Sequence, residues 1–278
     1  MSSDLHVLCR QDNEQFLQSK DHSQNELLRQ LLSLPIIERE LLSELTVVSV
    51  TENQVLYKQG DHIECIYFPL DSVVSGVSIT EDGSAIETSM VGREGLAGVC
   101  ALIKGEVAQQ WIWVTIAGSA IRVEAKLLGK LLVDNETALR SFLKYYGLLL
   151  TQVAQRCVCN TRHTIMERLC CWLLMIHDRV GPRDLRLTHE IMASRIGVRR
   201  AGITVAARKL QDMNAIDYRR GRLHIRCRSI LEQLVCECYN VMAMRFEANN
   251  VSPTPESANE NQEFCNNGNP SIALSSIG

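Results

Sequence analysis

The chain has 278 residues, an apolar fraction of 46% and a formal net charge of −3. This length and composition fit a globular protein of one to two domains with a sizeable core. No apolar run reaches the roughly 18 residues needed to cross a bilayer, and the first residues lack the basic and apolar regions of a signal peptide. We therefore expect a soluble cytoplasmic protein that does not contact a membrane.

The charge is distributed unevenly along the chain. Residues 161–228 contain 15 Lys and Arg against 6 Asp and Glu, whereas residues 1–160 contain 13 against 20 and residues 229–278 contain 1 against 6. A basic block between acidic flanks is typical of a protein that binds a polyanion. The alternative is a solvated basic face without a partner, and the pattern of residues inside the block decides between the two.

The eleven cysteines do not resemble a disulfide framework, because their number is odd and most lie in apolar periodic segments. We interpret them as buried reduced thiols. Two Cys-x-Cys pairs, Cys157/Cys159 and Cys236/Cys238, fall in predicted helices. Residues i and i+2 of a helix point about 200° apart, so the sequence predicts no metal site. A redox role for Cys157 or Cys159 across a dimer remains an open hypothesis.

The N-terminal half begins with a polar segment, residues 1–25, that we expect to be flexible. A helix is predicted from Glu26 to about Leu45, and short β-rich runs separated by turn signals follow up to about residue 123. Glu81-Asp82-Gly83 predicts a hairpin turn between two of these runs. Regularly spaced short strands indicate a small antiparallel barrel or jelly roll, which we expect to form one domain over residues 26–134. Trp111 and Trp113 share one face of a strand, as core or interface residues.

A long helix is predicted next, from about Asn135 to Cys159, and a second one from about Arg162 to Val180. Apolar residues recur in the first helix at gaps of three and four, close to the seam of a two-stranded coil. We predict that residues 135–160 form the dimerisation helix of a homodimer. The alternative is a helix packed on its own barrel. The predicted seam residues are Leu139, Phe142, Tyr146, Leu149, Val153 and Cys157.

The basic block contains the pattern of a helix-turn-helix motif. Thr188 can cap a short helix that ends near Ile196, Gly197 suits a tight turn, and a second helix is predicted from about Arg199 to Met213. A wing is then predicted, because a strand is followed by the basic turn Arg219–Arg222 and a return strand. A basic, exposed second helix fits the major groove of DNA, and arginines in a turn can lie on phosphates.

We therefore predict a winged helix-turn-helix domain over residues 161–246 that binds double-stranded DNA, followed by a disordered tail over residues 247–278. The predicted DNA contacts are Thr188, Arg199, Arg200, Thr204, Arg208, Arg219, Arg220 and Arg222.

From about residue 30 to 245 the chain resembles the catabolite-activator and fumarate-nitrate regulator family (Crp-Fnr). The resemblance depends on the segments Asn53–Asp61 and Val91–Gly98, the long helix, Gly197-Val198-Arg199-Arg200, and Leu210–Ile216. It implies an α+β fold with an N-terminal β-roll like a cyclic-nucleotide-binding jelly roll, a long dimerisation helix and a C-terminal winged helix-turn-helix. It also implies a dimeric transcription regulator, RNA polymerase as a further partner, and no enzymatic activity.

The recognition helix departs from the family's pattern. Arg200 matches the first arginine, but Ala201 stands in place of the usual glutamate and Val205 in place of the second arginine. The resemblance therefore implies the fold but not the base-reading code. We expect Arg200 to read a guanine by bidentate hydrogen bonds, and Arg199 and Thr188 to contact phosphates.

The sensor half also departs from the family members that bind a cyclic nucleotide. Where those proteins carry an Arg-Ser or Arg-Thr pair for the cyclic phosphate, this chain has Gln109-Gln110. A buried phosphate needs such a countercharge, so we expect a signal other than a cyclic nucleotide. The alternative function is a cyclic-nucleotide-binding regulatory module. The predicted effector pocket comprises Gly92, Arg93, Glu94, Gly95, Gln109 and Gln110.

No cofactor is predicted. An iron–sulfur cluster of the kind used in this family needs clustered N-terminal cysteines, and only Cys9 lies there. No histidine stands out as a haem ligand, and no nucleophile–base motif of an enzyme is present.

Overall fold

The computed structural model describes residues 24–103 and 107–247. The predicted disordered tail, most of the predicted flexible N-terminus and Cys9 lie outside the described residues. The elements in chain order are α1 (Glu26–Leu32), α2 (Pro35–Leu41), β1 (Thr46–Val50), β2 (Val55–Tyr57), β3 (Cys65–Pro69), β4 (Val73–Ile79), β5 (Ala85–Val91), α3 (Cys100–Ile103), β6 (Trp111–Ile116), β7 (Gly118–Glu124), α4 (Ala125–Asp134), α5 (Glu136–Arg162), α6 (Ile165–Val180), β8 (Leu185–Arg186), α7 (His189–Ile196), α8 (Arg200–Asp212), β9 (Ile216–Arg219), β10 (Arg222–Ile225), α9 (Arg228–Leu234) and α10 (Glu237–Glu247).

The first seven strands form two antiparallel sheets, with strand orders β1-β7-β3 and β2-β6-β4-β5. This arrangement confirms the predicted β-roll. The hairpin between β4 and β5 turns at the predicted position, where Asp82 accepts hydrogen bonds from the Thr80 hydroxyl and the Ser84 amide, and Gly83 has a φ of 82°. Such a φ is readily adopted only by glycine.

The helical stretch predicted from Glu26 to about Leu45 is interrupted in the structure. Two helices occupy this segment, α1 and α2, and Pro35 is the first residue of the second one. Proline suits the first turn of a helix but cannot continue one, so the chain breaks at Ser33 and Leu34. Both helices bury their leucines in the core of the β-roll domain, which they share with α4 and part of α5.

The long helix α5 runs three residues beyond its predicted end at Cys159. The predicted break at Asn160-Thr161 is therefore wrong, and the chain leaves the helix at His163 and Thr164. Thr164 and Glu167 form a reciprocal capping box at the start of α6. This pair satisfies two backbone N–H groups and explains why the new helix begins there.

The C-terminal part consists of α6 to α10 and a three-stranded antiparallel sheet with strand order β8-β10-β9. Its core includes Trp172, Leu210 and Leu223 and continues into the β-roll through Val73, Met90 and Ile116. The two parts of the chain therefore share a buried junction. Among the helices that the structure describes, none has both the length and the apolar character needed to cross a bilayer.

Candidate nucleic-acid interface and sensor pocket

The helix-turn-helix is built from α7 and α8 with the local signals expected from the sequence. The Thr188 hydroxyl oxygen accepts a hydrogen bond of 3.1 Å from the Ile191 amide and so caps α7. Gly197 ends that helix in the left-handed conformation, with a φ of 73°. Helix α8 then buries an inner face of small and branched residues, which holds its other face outward. The buried residues are Ile203, Ala206, Ala207 and Leu210.

All eight side chains predicted to contact DNA are exposed. Those on α8 lie on one outer face that also contains the two residues at which this helix departs from the family's pattern. These are Ala201 and Val205, and the Val205 side chain is 58% exposed. DNA contact itself remains a prediction for each of these residues.

A small polar network supports the start of the recognition helix. The Thr204 hydroxyl lies 3.0 Å from His189 Nδ1, and the His189 ring stacks on Tyr218 with a centroid distance of 4.5 Å. Burial, together with the nearby Arg200 guanidinium, lowers the pKa of His189. Arg200 itself makes only a loose pair of 3.9 Å with Glu190, and both side chains are well exposed. Its guanidinium is therefore available to a ligand.

The wing is a two-residue hairpin between β9 and β10. Arg220 and Gly221 have φ values of 51° and 78°, which is the pattern of a type I′ turn. The turn is therefore two residues shorter than the predicted Arg219–Arg222. Both flanking arginines belong to the strands and are exposed together with Arg220. The three guanidinium groups project from one tight loop beside Thr188, whose methyl group is 3.4 Å from the position of a Cβ at Gly221.

The basic block is not uniformly exposed, because two of its arginines, Arg179 and Arg195, are buried at the junction with the β-roll. The Arg195 guanidinium of α7 lies 4.7 Å from the centre of the Trp113 ring, and Arg195 is 2% exposed. Nearby, the Ser194 hydroxyl donates to the Ala85 carbonyl at 2.8 Å. The first helix of the motif is thus docked on the β-roll. Trp113 is an interface residue, one of the two roles expected for it.

The buried centre of this junction is Glu87 of β5, which is 1% exposed. Its carboxylate accepts hydrogen bonds from Trp172 Nε1 at 2.9 Å and from the Ser75 hydroxyl at 2.6 Å, and it pairs with Arg156 at 3.3 Å. A buried carboxylate is tolerated when its oxygens are satisfied in this way. The partners of the Glu87 carboxylate therefore come from three elements, β4, α5 and α6, which belong to both parts of the chain.

The residues of the predicted effector pocket do not lie together, because the glycine turn packs against α5 and α6 and does not line the pocket of Gln109 and Gln110. Glu94 pairs with Arg179 of α6 at 2.7 Å, and a Cβ on Gly92 would lie 2.6 Å from the same arginine. A Cβ on Gly95 would overlap the ring of Tyr145. These glycines are needed for close packing against α5 and α6, and the Arg93 side chain is exposed at the surface.

Gln109 and Gln110 do line a pocket, inside the β-roll beside α5. Gln110 accepts a hydrogen bond of 2.7 Å from the Thr88 hydroxyl, and its amide group fills the space above Gly76. The described lining residues are all apolar or uncharged: Val74, Gly76, Ser89, Val91, Leu96, Ala97, Gly98, Val99, Cys100, Gln109, Gln110, Ile112 and Leu149. A phosphate would find no countercharge among them.

The predicted dimer seam requires a correction at two positions. Phe142 and Leu149 are only 2% and 9% exposed, since both pack into the core of their own β-roll domain. Leu143 and Leu150 lie one residue further along and are 53% and 52% exposed. The open stripe of α5 comprises exposed and partly exposed residues with gaps of four and three: Leu139, Leu143, Tyr146, Leu150, Val153 and Cys157. Leu139 also packs partly against the β-roll core.

One of the two Cys-x-Cys pairs, Cys236/Cys238, differs from the prediction, whereas Cys157 and Cys159 both lie in α5 as predicted. Cys236 precedes α10 instead of lying within it, so it can point toward the same side as Cys238. Both thiols lie next to Cys159 and His163 at the end of α5. A hydrogen bond from the Cys171 thiol lowers the pKa of Cys159 to about 5. The absence of a metal site is expected only if both cysteines of each pair lie in a helix, and Cys236 does not.

Comparisons with known proteins agree with this architecture. Residues 167–234 match the family model described as a Crp-like helix-turn-helix domain. No curated protein sequence matches the chain. Among solved structures, FixK2 from Bradyrhizobium japonicum is similar with a TM-score of 0.59 and 18% identity, covering 69% of this chain and 98% of that one.

Two further structures show the same fold. A Crp/Fnr-family transcriptional regulator from Thermus thermophilus has a TM-score of 0.54 and 19% identity, covering 68% of this chain and 97% of that one. The c-di-GMP-responsive regulator CLP of Xanthomonas campestris has a TM-score of 0.52 and 14% identity, covering 68% and 97%.

The fold and the matched domain define a protein in which a β-roll is joined to a helix-turn-helix DNA-binding domain. Residues 167–234 are thus similar to a Crp-like helix-turn-helix domain, and the fold is similar to that of a solved Crp/Fnr-family regulator.

Proposed function

We propose that the chain binds specific palindromic sites in duplex DNA as a homodimer, with α8 in the major groove and the wing on the phosphate backbone. The observation that supports this most is the outward face of α8, where basic, hydroxyl and methyl groups are exposed side by side while the opposite face is buried. The major groove admits one helix and presents a distinct pattern for each base pair.

The residues of this surface divide into three roles. Arg200 would form hydrogen bonds with a guanine. Val205, which stands in place of the family's second arginine, would make an apolar contact with a thymine methyl group. Thr204 and Arg208 would contact bases or phosphates further along the groove. Arg199, Thr188 and the wing arginines Arg219, Arg220 and Arg222 would contact phosphates and fix the register of the helix.

Selection of duplexes from a random pool tests this proposal. We expect an enriched palindrome whose half-sites lie about one helical turn apart, and an affinity that falls steeply with salt. Replacing one thymine of the enriched half-site by uracil should weaken binding by the wild-type chain and leave Val205→Ala unaffected. A pool without enrichment at low salt, or equal binding to all duplexes, would contradict the proposal.

The proposed dimer contact is the open stripe of α5 defined above. Its alternating gaps of four and three residues match a two-stranded coil, and Leu143 and Leu150 are half exposed in the single chain. The stripe is short, so the β-rolls would contribute to the same interface. Leu143→Glu with Leu150→Glu should therefore give a monomer in sedimentation or light scattering.

The matched control for the dimer is Val133→Glu, which alters an apolar residue of α4 that is 77% exposed and lies outside the stripe. It should leave the oligomeric state unchanged. A wild-type chain that is monomeric at micromolar concentration, or a dimer that survives both glutamates, would exclude this stripe as the interface.

We also propose that residues 26–134 act as the sensor domain, residues 135–160 as the dimerisation helix and residues 161–246 as the DNA-binding domain. The signal would be an uncharged small molecule bound in the pocket that Gln109 and Gln110 line. The absence of a charged side chain among the described lining residues favours this ligand class over a cyclic nucleotide. RNA polymerase as a partner and a cytoplasmic location are proposals that follow from the regulator class.

Calorimetric titration separates the two kinds of signal. We expect no heat of binding with cAMP, cGMP or cyclic dinucleotides. Binding of any of them that is lost in Gln110→Leu would overturn the proposal and favour a cyclic-nucleotide-binding module. Gln30→Leu, at a partly exposed position in a different surface depression, is the control for nonspecific effects of the substitution.

A further inference from the structure

Two segments far apart in the sequence bring four ligand-type side chains together. Cys159 and His163 lie four residues apart at the end of α5, and Cys236 and Cys238 flank the first residue of α10. One ligand atom from each side chain lies within 4.8 Å of all the others. The three cysteines are at most 5% exposed, and the His163 side chain is 12% exposed. The cluster is therefore buried and compact.

The distances within the cluster fit the coordination sphere of one ion. Cys159 Sγ lies 3.6 Å from Cys236 Sγ, and Cys238 Sγ lies 3.5 Å from His163 Nδ1. Zinc bonds of about 2.3 Å to sulfur and about 2.0 Å to nitrogen would place tetrahedral ligands about 3.8 Å (S to S) and about 3.5 Å (S to N) apart. An iron–sulfur cluster is larger than one ion and would need its thiolates further apart.

The surrounding residues orient the ligands. Glu237 Oε2 lies 3.2 Å from His163 Nε2, which leaves Nδ1 directed toward the three thiols. The Gln155 side-chain amide donates to Cys238 Sγ at 3.1 Å. A carboxylate on the outer nitrogen of a metal-binding histidine is a recurrent arrangement, since it fixes the orientation of the ring and raises its basicity.

We propose that Cys159, His163, Cys236 and Cys238 form a closed tetrahedral site for one divalent ion of the zinc class. Four protein ligands leave no open position, so the site would be structural. It would fasten α10, the last described helix of the DNA-binding part, to the end of α5 next to the break at His163 and Thr164. Metal binding would thereby fix the position of the DNA-binding domain relative to the end of α5.

Metal analysis of the full chain purified under reducing conditions tests the site. We expect one zinc ion per chain. After removal of zinc, Co²⁺ should give the intense visible bands of a tetrahedral ion and a sulfur-to-cobalt charge-transfer band, and zinc should abolish both. Cys236→Ser and Cys238→Ser should each lose most of the bound metal. Cys157→Ser is the matched control, because this exposed cysteine lies two residues from Cys159 and outside the cluster.

Glu237→Gln provides a variant that keeps all four ligands and so remains informative if the cysteine variants do not fold. It should lower zinc affinity about tenfold, as expected for an outer partner of a metal-binding histidine. Three results would overturn the proposal: wild-type chain with far less than one ion, a weak octahedral Co²⁺ spectrum without charge transfer, or a Cys159–Cys236 disulfide in peptide maps of the metal-free protein. Loss of metal in Cys157→Ser equal to that in Cys236→Ser would also overturn it.

Discussion

Arginine plays different roles in the wing and at the junction between the two parts of the chain. In the wing, Arg219, Arg220 and Arg222 are exposed on a tight hairpin. At the junction, Arg156, Arg179 and Arg195 are at most 7% exposed. Both groups contribute to the positive charge of the molecule, but only the wing arginines are open to a polyanion.

The difference follows from the cost of removing a charge from water. A buried cation costs several kcal/mol unless a partner compensates, and the junction supplies Glu87 for Arg156, Glu94 for Arg179 and the Trp113 ring for Arg195. A solvated arginine needs no such partner and can exchange water for phosphate. A count of basic residues therefore indicates a polyanion-binding protein but does not identify its contacts.

The largest expected effect is the loss of the buried carboxylate at the junction. Glu87→Ala removes the partner of Arg156 and leaves Trp172 Nε1 without its acceptor. We expect the free energy of unfolding, measured by urea denaturation, to fall by about 3–5 kcal/mol. Glu136→Ala, which breaks an exposed pair with Arg140, should cost about 0.5 kcal/mol or less. Equal losses in the two variants would show that burial of the pair is unimportant.

Arg200→Ala should have the next largest effect. We expect this substitution to weaken DNA binding and to leave folding unchanged. We expect a loss of about 1–3 kcal/mol on the selected site and relaxed base preference at one position. Competition binding with single-base variants of the site measures both. Equal weakening on all sequences would show that Arg200 contacts only phosphate. Lys209→Ala, an exposed change on the same helix but away from the α8 residues predicted to contact DNA, serves as the control.

The wing arginines should act on the salt dependence of binding. Replacing Arg219, Arg220 and Arg222 by alanine should lower the slope of log affinity against log salt by about 1 for each arginine that contacts a phosphate. The enriched sequence should stay the same. Arg140→Ala, an exposed arginine of α5, should leave the slope unchanged. A changed sequence preference would instead assign base contacts to the wing.

The smallest expected effect is a dependence of stability on pH. Burial lowers the pKa of both His177 and His189 below the ordinary value of 6.5. Because the unfolded chain then binds more protons than the folded one, stability should fall as the pH drops below about 6.5. Urea midpoints measured between pH 7.5 and 5.5 test this. A combined His177→Gln and His189→Gln variant should flatten the curve, and an unchanged slope would contradict the assignment.

The local signals of the DNA-binding motif could be predicted from the sequence because they act over a few residues. Thr188 caps its helix and Gly197 closes it with a left-handed turn, as expected from short-range hydrogen bonding and backbone sterics. The break before α6 was misplaced because Asn160 and Thr164 are both plausible caps. Only the reciprocal pairing of Thr164 with Glu167 distinguishes them.

The dimer helix shows where periodicity becomes ambiguous. At two places in this helix, two neighbouring apolar residues both fit the spacing of the seam: Phe142 with Leu143, and Leu149 with Leu150. The sequence alone does not show which residue of each pair faces the β-roll. The glycine turn is a similar case. Gly92 and Gly95 looked like a ligand loop, but they leave room for Arg179 and Tyr145, which come from helices more than 45 residues away.

The amino-acid sequence by itself determined the order of the elements, the β-roll, the helix-turn-helix and the exposed basic residues of α8 and the wing, because hydrophobic period, caps and turns act locally. The tertiary structure decided which arginines are buried, which leucines remain open, and that Cys159 and His163 lie beside Cys236 and Cys238. Contacts between residues more than seventy positions apart depend on how the helices pack, and no local pattern records that packing.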